Sequence, residues 1–267
     1  MSEVLKLTDD EYFGPDYGSF ISKSRLWKFA KDPVGFFTKE EDGYDENKEH
    51  LVKGSALHAK LLEGDDEYHT RYTITDLINP KTGKSYGRQT NTFHDHCHDL
   101  GVLPHYVVTT EMDREIGRMC QAVQSHNRGG KLLREYTDEV EVVLRGEFEG
   151  NRAQGKVDGM SSSHSLIIDV KTCRDLPSFV ENYYNYGYDW QAIMYQDLFK
   201  QAFGYDAEFV FIVVSGGDDP QCLTMEAEAF HKPEREDYMR HVARVYRKCV
   251  EEKDYRLALF ELKDHIL

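Results

Sequence analysis

The spacing of hydrophobic residues changes part-way along this chain, and the change predicts two structural regions. In the first half, apolar residues recur at the three- to four-residue spacing of amphipathic helices. Helices are predicted over 22–37, 49–62, 92–100 and 111–126. Residues 65–90 are rich in glycine and polar residues instead, and are predicted to form loops.

The second half of the chain contains short β-branched and apolar runs, which are typical of strands. Strands are predicted over 136–148, 151–160, 165–172, 207–214 and 223–231, and helices over 189–203 and 233–252. A strand-rich middle flanked by helices predicts an α/β fold built on a core sheet.

Composition predicts one compact domain. The chain has 267 residues, of which 40% are hydrophobic and only 7 are proline, and it contains no low-complexity linker. An N-terminal arm is predicted over 1–20 and a single domain over 21–267. Within that domain, a helical part, a sheet core and a C-terminal helix are predicted at about 21–130, 131–232 and 233–267.

Three ionisable residues lie in the middle of the chain, on two neighbouring predicted strands. Asp169 and Lys171 share one strand face, because side chains alternate along a strand. The Ser-rich turn 161–164 predicts a hairpin that brings Asp158 across from Asp169. Two nearby carboxylates are tolerated mainly when a hard cation such as Mg²⁺ lies between them. The pattern predicts a metal site, and an ordinary Asp–Lys ion pair on a surface hairpin is the alternative.

The same residues match a series of motifs in order. Asp158, the segment 169–172, and Gln191 with Tyr195 resemble the PD-(D/E)xK nuclease superfamily, RecB-like branch. The segment 54–63, which contains His58, resembles the helical motif of that branch that carries a metal-binding histidine. The run from Asp169 to Tyr195 is most similar to the exonuclease domain of RecE, also called exonuclease VIII, and the resemblance covers roughly 21–205. The first motif lacks the usual proline before its aspartate.

The resemblance implies a restriction-endonuclease-like core, in which helices flank a central mixed β-sheet, and a defined ligand set. His58, Asp158, Asp169 and the backbone carbonyl of Val170 would hold Mg²⁺, for which Mn²⁺ would substitute. Lys171 would position or activate the attacking water, or stabilise charge on the phosphate. Because His58 lies beside a stripe of leucines on a predicted helix, a packing role is its alternative.

Further residues have implied roles around that centre. Gln191 and Tyr195 are four residues apart on a predicted helix and share one face. The resemblance places Gln191 near the metal or the scissile phosphate, and Tyr195 near the nucleic-acid backbone, whereas a plain helix surface or a core tyrosine is the alternative. Glu139 or Glu141 would add an outer-shell carboxylate, and nothing in the sequence decides between them.

The resemblance also implies a biological setting. The expected activity is a Mg²⁺-dependent exodeoxyribonuclease that acts on the ends of linear double-stranded DNA, resecting 5′ to 3′ and leaving 3′ single-stranded tails for recombination by strand annealing. A ring-shaped homo-oligomer and a RecT-like single-strand annealing partner, in a phage or prophage pair, are implied. The same motifs would serve a RecB-like endonuclease or flap nuclease. A catalytically inactive module that binds DNA ends or proteins is an alternative of another class.

Net charge limits how the chain could bind DNA. With 48 acidic and 33 basic residues the formal charge is −15, so a bare DNA-binding module is disfavoured and a locally positive path is required. Arg240 and Arg244, with Arg247 and Lys248, lie along one face of the predicted terminal helix and are the first candidate path. A solvated or subunit-contact stripe is the alternative. The predicted loop supplies a second candidate path, composed of Lys81, Lys84 and Arg88.

Cysteine usage and hydropathy predict the cellular compartment of the protein. The five cysteines are scattered and lack a CxxC motif, which predicts reduced thiols in a cytoplasm and argues against an iron–sulfur variant of the superfamily. The first ten residues include several charged side chains, and no apolar run is long enough to cross a bilayer. The sequence therefore predicts a cytoplasmic protein without membrane contact, in a bacterial host if phage-encoded.

Aromatic residues are concentrated between Lys171 and Gln191. Such side chains can stack on bases, or they can pack a loop against the core. Packing is expected for at least half of them. The residues concerned are Tyr183, Tyr184, Tyr186, Tyr188 and Trp190.

Overall fold

Six strands form the central sheet of the computed structural model, in which residues 2–38 and 47–262 are described. From one edge to the other, the strands are β1 (Glu3–Leu5), β4 (Glu139–Phe148), β5 (Asn151–Ser161), β6 (Leu166–Cys173), β7 (Glu208–Ser215) and β8 (Cys222–Glu226). Strands β2 (Thr73–Ile74) and β3 (Val107–Val108) pair separately. Within the central sheet β6 and β7 are parallel and the other neighbours are antiparallel, so the sheet is mixed.

Helices precede, connect and follow these strands. The first eight are α1 (Asp9–Tyr12), α2 (Lys23–Lys31), α3 (Pro33–Thr38), α4 (Glu49–His58), α5 (Asp65–Arg71), α6 (Asn91–Leu100), α7 (Thr110–Ser125) and α8 (Asn127–Glu135). The later ones are α9 (Leu176–Glu181), α10 (Tyr188–Phe203), α11 (Pro233–Glu252) and α12 (Leu257–Glu261). In the described ranges, no helix has both the length and the hydrophobicity that a bilayer crossing requires.

Two helical layers cover the two faces of the sheet, and β6 contributes alternate residues to each. Ile168 and Val170 pack with Leu57 of α4 and other residues of the α4–α7 layer. Ile167 belongs to the opposite core, which contains Trp190 of α10 and the buried face of α11. The predicted fold class, an α/β fold with a mixed sheet between helices, is confirmed.

Several element bounds differ from prediction for local reasons. The helix expected over 22–37 is divided in two, because Asp32 leaves the helical conformation and Pro33 starts a new helix. The first part of the predicted loop 65–90 forms α5. The strand expected over 223–231 ends at Glu226, where a 3₁₀ turn begins. Positions 39–46 and 263–267 of the predicted domain lie outside the described residues.

Several elements have no counterpart in the sequence prediction, among them helix α8 and strand β1. Helix α8 contains two glycines in its first turn, Gly129 and Gly130, and they obscure the helical pattern in the sequence. The His126 side chain caps this helix by accepting a hydrogen bond from the Gly129 amide at 3.0 Å. A Cβ on Gly130 would lie 2.2 Å from the Gln124 carbonyl oxygen, so glycine is required there. Strand β1 pairs antiparallel with β4 and extends the sheet at its edge.

Tyr195 of α10 lies directly over a glycine of the sheet. A Cβ on Gly155 would lie 2.4 Å from the Tyr195 ring, so Gly155→Ala must displace that ring or strand β5. We expect it to lower the free energy of unfolding by about 1–3 kcal/mol, the range for overpacked cores. Urea unfolding measures this effect.

Gly117→Ala in α7 is the matched control, because a Cβ there would meet nothing within 4 Å beyond its own helix. Alanine should stabilise that helix by roughly 0.5–1 kcal/mol. Equal stability of the two variants would contradict the packing of Tyr195 on Gly155.

Candidate active site

The backbone of Val170 lies at the centre of the site, between a carboxylate and an imidazole. Pairing between β5 and β6 ends at Gly159–Ile168, immediately before Asp158 and Asp169. Beyond that point, the Val170 amide donates to Asp158 Oδ2 at 2.6 Å instead of to a strand neighbour. His58 Nε2 lies 2.9 Å from the Val170 carbonyl oxygen. The predicted proximity of Asp158, His58 and the Val170 carbonyl is thus present.

The orientation of His58 favours a cation beside it. Since Nε2 faces a carbonyl, which can only accept, Nε2 carries the proton and Nδ1 of the neutral ring is an acceptor. Nδ1 lies 3.6 Å from Asp158 Oδ1, which is also an acceptor. A proton or a metal ion between the two removes this repulsion. His58 is the last residue of α4, where the helix changes to a π-helical turn over Ala59–Glu63.

Glu141 completes a cluster of three potential ligands. Ligand atoms of His58, Glu141 and Asp158 all lie within 4.8 Å of one another. Glu141 is on β4, the strand that pairs with the Asp158 strand, and its φ of 52° is in the left-handed region that non-glycine residues rarely adopt. Such conformations cost roughly 1–3 kcal/mol and are concentrated at functional sites. Glu139 is exposed at the start of β4, so Glu141 is the one of the two that reaches the cluster.

The electrostatics of Asp158 fit a divalent ion. Burial, together with the Asp169 carboxylate, raises the pKa of Asp158 to about 7, although the nearby His58 opposes the shift. A carboxylate so destabilised gains from any cation placed beside it. An imidazole nitrogen and two carboxylates form a donor set that suits Mg²⁺ or Mn²⁺, whereas the Val170 carbonyl is the acceptor for His58 Nε2 in this arrangement. The residues present therefore fit such an ion.

Asp169, Lys171 and Gln191 form a second, adjoining cluster. Asp169 is 1% exposed, with Oδ1 2.5 Å from Lys171 Nζ and Oδ2 accepting from the Gln191 side-chain amide. Burial opposes the charge on Lys171, but Asp169 and Asp158 outweigh burial and raise the pKa of Lys171. Among the described residues, Asp169 is outside the three-ligand group, and its direct metal contact stays a prediction.

Tyr195 is a buried neighbour of these residues. It is 9% exposed, and burial raises the pKa of its hydroxyl well above the usual value. Gln191 and Tyr195, the two residues of α10 that the sequence predicts, lie on the helix face that packs against the site, where Gln191 contacts Asp169 and Tyr195 contacts Gly155. A contact of Tyr195 with nucleic acid stays a prediction.

The predicted basic path on the terminal helix is bound by acidic residues. Arg240 and Arg244 donate to the two oxygens of Glu149 at 3.0 and 2.7 Å, and Arg240 also pairs with Glu236. Lys248 lies 2.9 Å from Glu261. These ion pairs offset the positive charge, and contact between α11 and DNA stays a prediction.

The second predicted path is divided. Arg88 is anchored inside the protein, where its guanidinium donates to the carbonyls of Asn47, Pro104 and Val107. Lys81 and Lys84 are exposed in the loop between α5 and α6.

Lys156 is absent from the sequence prediction, although the strand pattern contains the signal. It is two residues before Asp158 and therefore faces the same way. Its ammonium lies 2.6 Å from Glu141 Oε2 and 2.8 Å from Asp9 Oδ1 of α1. Lys156 therefore joins the N-terminal segment to a potential metal ligand.

Comparison with known proteins places this geometry in a family. Residues 22–254 match the family described as PDDEXK-like domain of unknown function (DUF3799). The chain belongs to this PDDEXK-like family. A crystal structure from Eubacterium rectale, described as a "putative exonuclease", is similar over 96% of this chain and 88% of that one, with a TM-score of 0.57 and 15% identity. No match was found among curated proteins.

Both findings agree with the predicted superfamily. The similar crystal structure has a low identity to this chain and therefore supports the fold alone. The family match covers the whole three-ligand cluster, because His58, Glu141 and Asp158 all lie between residues 22 and 254.

The raised pKa of Asp158 predicts an unusual pH dependence of stability. An unfolded aspartate titrates near pH 3.9 and the folded one at about 7, so the folded state binds this proton more tightly, and stability is lost as pH rises through about 7. With metal removed by EDTA, Asp158→Asn should have a higher Tm than wild type at about pH 8. The Tm difference between the variant and the wild type should become smaller towards about pH 5. Thermal unfolding at several pH values between about 5 and about 8 measures this difference.

Asp138→Asn is the control, since hydroxyl groups of Ser161 and Ser163 lower the pKa of Asp138 below that of an unfolded aspartate. Both pKa values lie below about pH 4, so the Tm difference between this variant and the wild type should stay constant from about pH 5 to about pH 8. A Tm difference for Asp158→Asn that does not change with pH would refute the buried-carboxylate description.

His58 is expected to bind the ion directly. His58→Ala should raise the Kd for Mn²⁺, measured by calorimetry without DNA, by about tenfold or more. His98→Ala is the control, because the His98 side chain is 91% exposed and remote from this cluster in the sequence. An unchanged Kd together with a lowered Tm would identify His58 as a packing residue.

Proposed function

We propose that the protein is a divalent-metal-dependent exodeoxyribonuclease that acts on linear double-stranded DNA. The observation that carries the proposal is the convergence of His58, Asp158 and the Val170 backbone beside the Asp169–Lys171 pair. A PDDEXK-like family membership supports the same chemistry, phosphodiester hydrolysis. Mg²⁺ is the proposed ion and Mn²⁺ its substitute.

The proposed ligands are His58, Asp158 and Glu141, with Asp169 as a further carboxylate, whereas the Val170 carbonyl accepts from His58 Nε2 and orients that ring. A bound divalent ion supplies a Lewis acid that polarises the phosphate and acidifies a water molecule. The ligand residues hold their geometry before any ion binds, because the Val170 amide fixes Asp158 and the Val170 carbonyl fixes His58. Such preorganisation lowers the reorganisation needed during the reaction.

Lys171 is proposed to act as a cation rather than as a base. Its raised pKa keeps the ammonium charged at neutral pH, so it can orient a water molecule or offset charge on the phosphate, but it rarely accepts a proton. Asp169 holds one side of the ammonium and Gln191 holds Asp169. Gln191 therefore assists by fixing the carboxylate that positions Lys171.

The finer parts of the proposal derive from the resemblance to the RecE type. They are 5′-to-3′ resection, the production of 3′ tails for strand annealing, a ring-shaped homo-oligomer and a RecT-like partner. Each is open to direct measurement, by end-labelled DNA, by mass photometry and by co-purification.

The decisive experiment compares a linear duplex with a covalently closed circle in Mg²⁺. We expect loss of the linear duplex with release of mononucleotides and an intact circle. Lys171→Ala should reduce the rate by roughly 10²–10³-fold, because an oriented charge at the reacting phosphate is lost. Asp206→Asn, which removes only the exposed partner of Lys200, is the matched control and should keep the wild-type rate.

Each other outcome has a clear meaning. Nicking of the circle would replace the exonuclease with an endonuclease. Loss of neither substrate, with DNA binding retained, would leave a binding module on a nuclease fold.

A further inference from the structure

Helix α2 starts beside the strand that carries Asp158. Ile21 forms an isolated bridge with Ala153 of β5, in which the Ile21 amide donates to the Arg152 carbonyl at 2.8 Å and the Gln154 amide donates to the Ile21 carbonyl at 2.9 Å. Ser22 then caps the helix by accepting from the Arg25 amide. This attachment fixes Lys23, the first residue of α2, at the sheet.

The Lys23 ammonium is held by a carbonyl and two aromatic rings. Nζ donates to the Tyr186 carbonyl at 2.5 Å and lies 5.9 Å from the Trp27 ring centroid and 5.5 Å from the Tyr188 ring centroid. Gly187 allows this arrangement, because a Cβ there would lie 2.8 Å from the Trp27 ring. The side chain is therefore fixed in a half-buried position.

The ring of Tyr188 joins Lys23 to Lys171. Lys171 Nζ lies 5.4 Å from the Tyr188 centroid, so two ammonium groups contact one ring. Lys171 has the Asp169 carboxylate as its partner. For Lys23, the described residues provide no carboxylate within ion-pair distance. Burial and the charge of Lys171 accordingly lower the pKa of Lys23 to about 8.

Lys23 differs from the arginines of α11 in how its charge is paired. Arg240 and Arg244 are paired with Glu149, whereas Lys23 experiences Asp169 and Asp189 only at longer range, and burial and the charge of Lys171 outweigh them. Two half-buried cations that repel each other are stabilised by an anion between or beside them. Lys31, whose Nζ lies 5.0 Å from the same Trp27 ring, adds a third positive charge along this side of α2.

We propose that Lys23 binds a phosphate of the cleaved DNA strand beside Lys171, and that Lys31 continues this phosphate path along α2. The inference rests on the proposed function, since it assigns the substrate's backbone to a specific surface. Lys23 is then a second cation at the reacting strand, and Trp27 and Tyr188 form the apolar wall that fixes it. Phosphate contacts of this kind position the strand and carry no sequence preference.

The test is Lys23→Met, which keeps the unbranched stem that packs against Trp27 and Tyr188 but removes the charge. Binding of a short duplex with a single-stranded end is measured in Ca²⁺, across a range of salt concentrations. Loss of one phosphate contact should reduce the slope of log K against log salt by about 0.7–0.9. In Mg²⁺, kcat/KM should fall roughly tenfold or more, since a charge-assisted hydrogen bond is lost.

Lys28→Met is the matched control, because Lys28 is exposed on the same helix and the charge change is identical. It should alter neither the slope nor kcat/KM. Lys23→Arg should restore most of the slope. Lys31→Met should reduce the slope with little effect on Tm. An unchanged slope in a folded Lys23→Met protein overturns the inference. If Lys23→Met does not fold, an unchanged slope in Lys31→Met overturns it instead.

The same measurements separate this inference from the proposed function. If the wild type binds DNA in a Lys23-dependent way but hydrolyses nothing, the proposed function fails and the phosphate site stands. If the wild type hydrolyses DNA and Lys23→Met is indistinguishable from Lys28→Met, the phosphate site fails and the function stands.

Discussion

The bond from the Val170 amide to the Asp158 carboxylate is the contact on which the site depends. Ordinarily a strand amide donates to a neighbouring strand, and an unpaired one would be costly in a buried sheet. Here a side chain takes that position, so β5 and β6 can stop pairing at Gly159–Ile168 without an orphaned donor. The gap so created exposes the Val170 carbonyl to His58, which comes from the α4–α7 layer. One hydrogen bond thus both ends the ladder and orders two potential ligands.

The cations of this protein differ in how fully acidic residues offset their charge. With a formal charge of −15, most of the surface would repel DNA. Arg240 and Arg244 of α11 form ion pairs with Glu149, and these pairs hold α11 against the turn between β4 and β5. Lys23 is different, because aromatic rings and a carbonyl hold its ammonium and the described residues place no carboxylate within ion-pair distance of it. The proposed phosphate site depends on this difference in pairing.

The sequence predicts the parts of the site that follow from local periodicity. Asp169 and Lys171 share a face because strand alternation requires it. The position of Gln191 beside Asp169 is implied by the family resemblance alone, since it depends on how α10 crosses that face. Glu141 could not be chosen over Glu139, since the choice depends on a left-handed backbone at one residue that no local pattern reveals. Lys23 escapes prediction for another reason: it is 148 positions before Lys171 by their numbers, and only the sheet attachment of Ile21 brings the two together.

Trp27 and Trp190 have a practical consequence for experiments on this protein. They are its only two tryptophans, and their rings meet edge to face with centroids 4.8 Å apart. Trp190 is fully buried, whereas Trp27 is partly exposed and has two lysine ammonium groups near its ring. The tryptophan fluorescence of the chain therefore originates entirely from one pair of adjacent indoles at the edge of the candidate site. Occupancy of that edge can be followed optically in the unmodified protein, without a dye or a labelled nucleic acid.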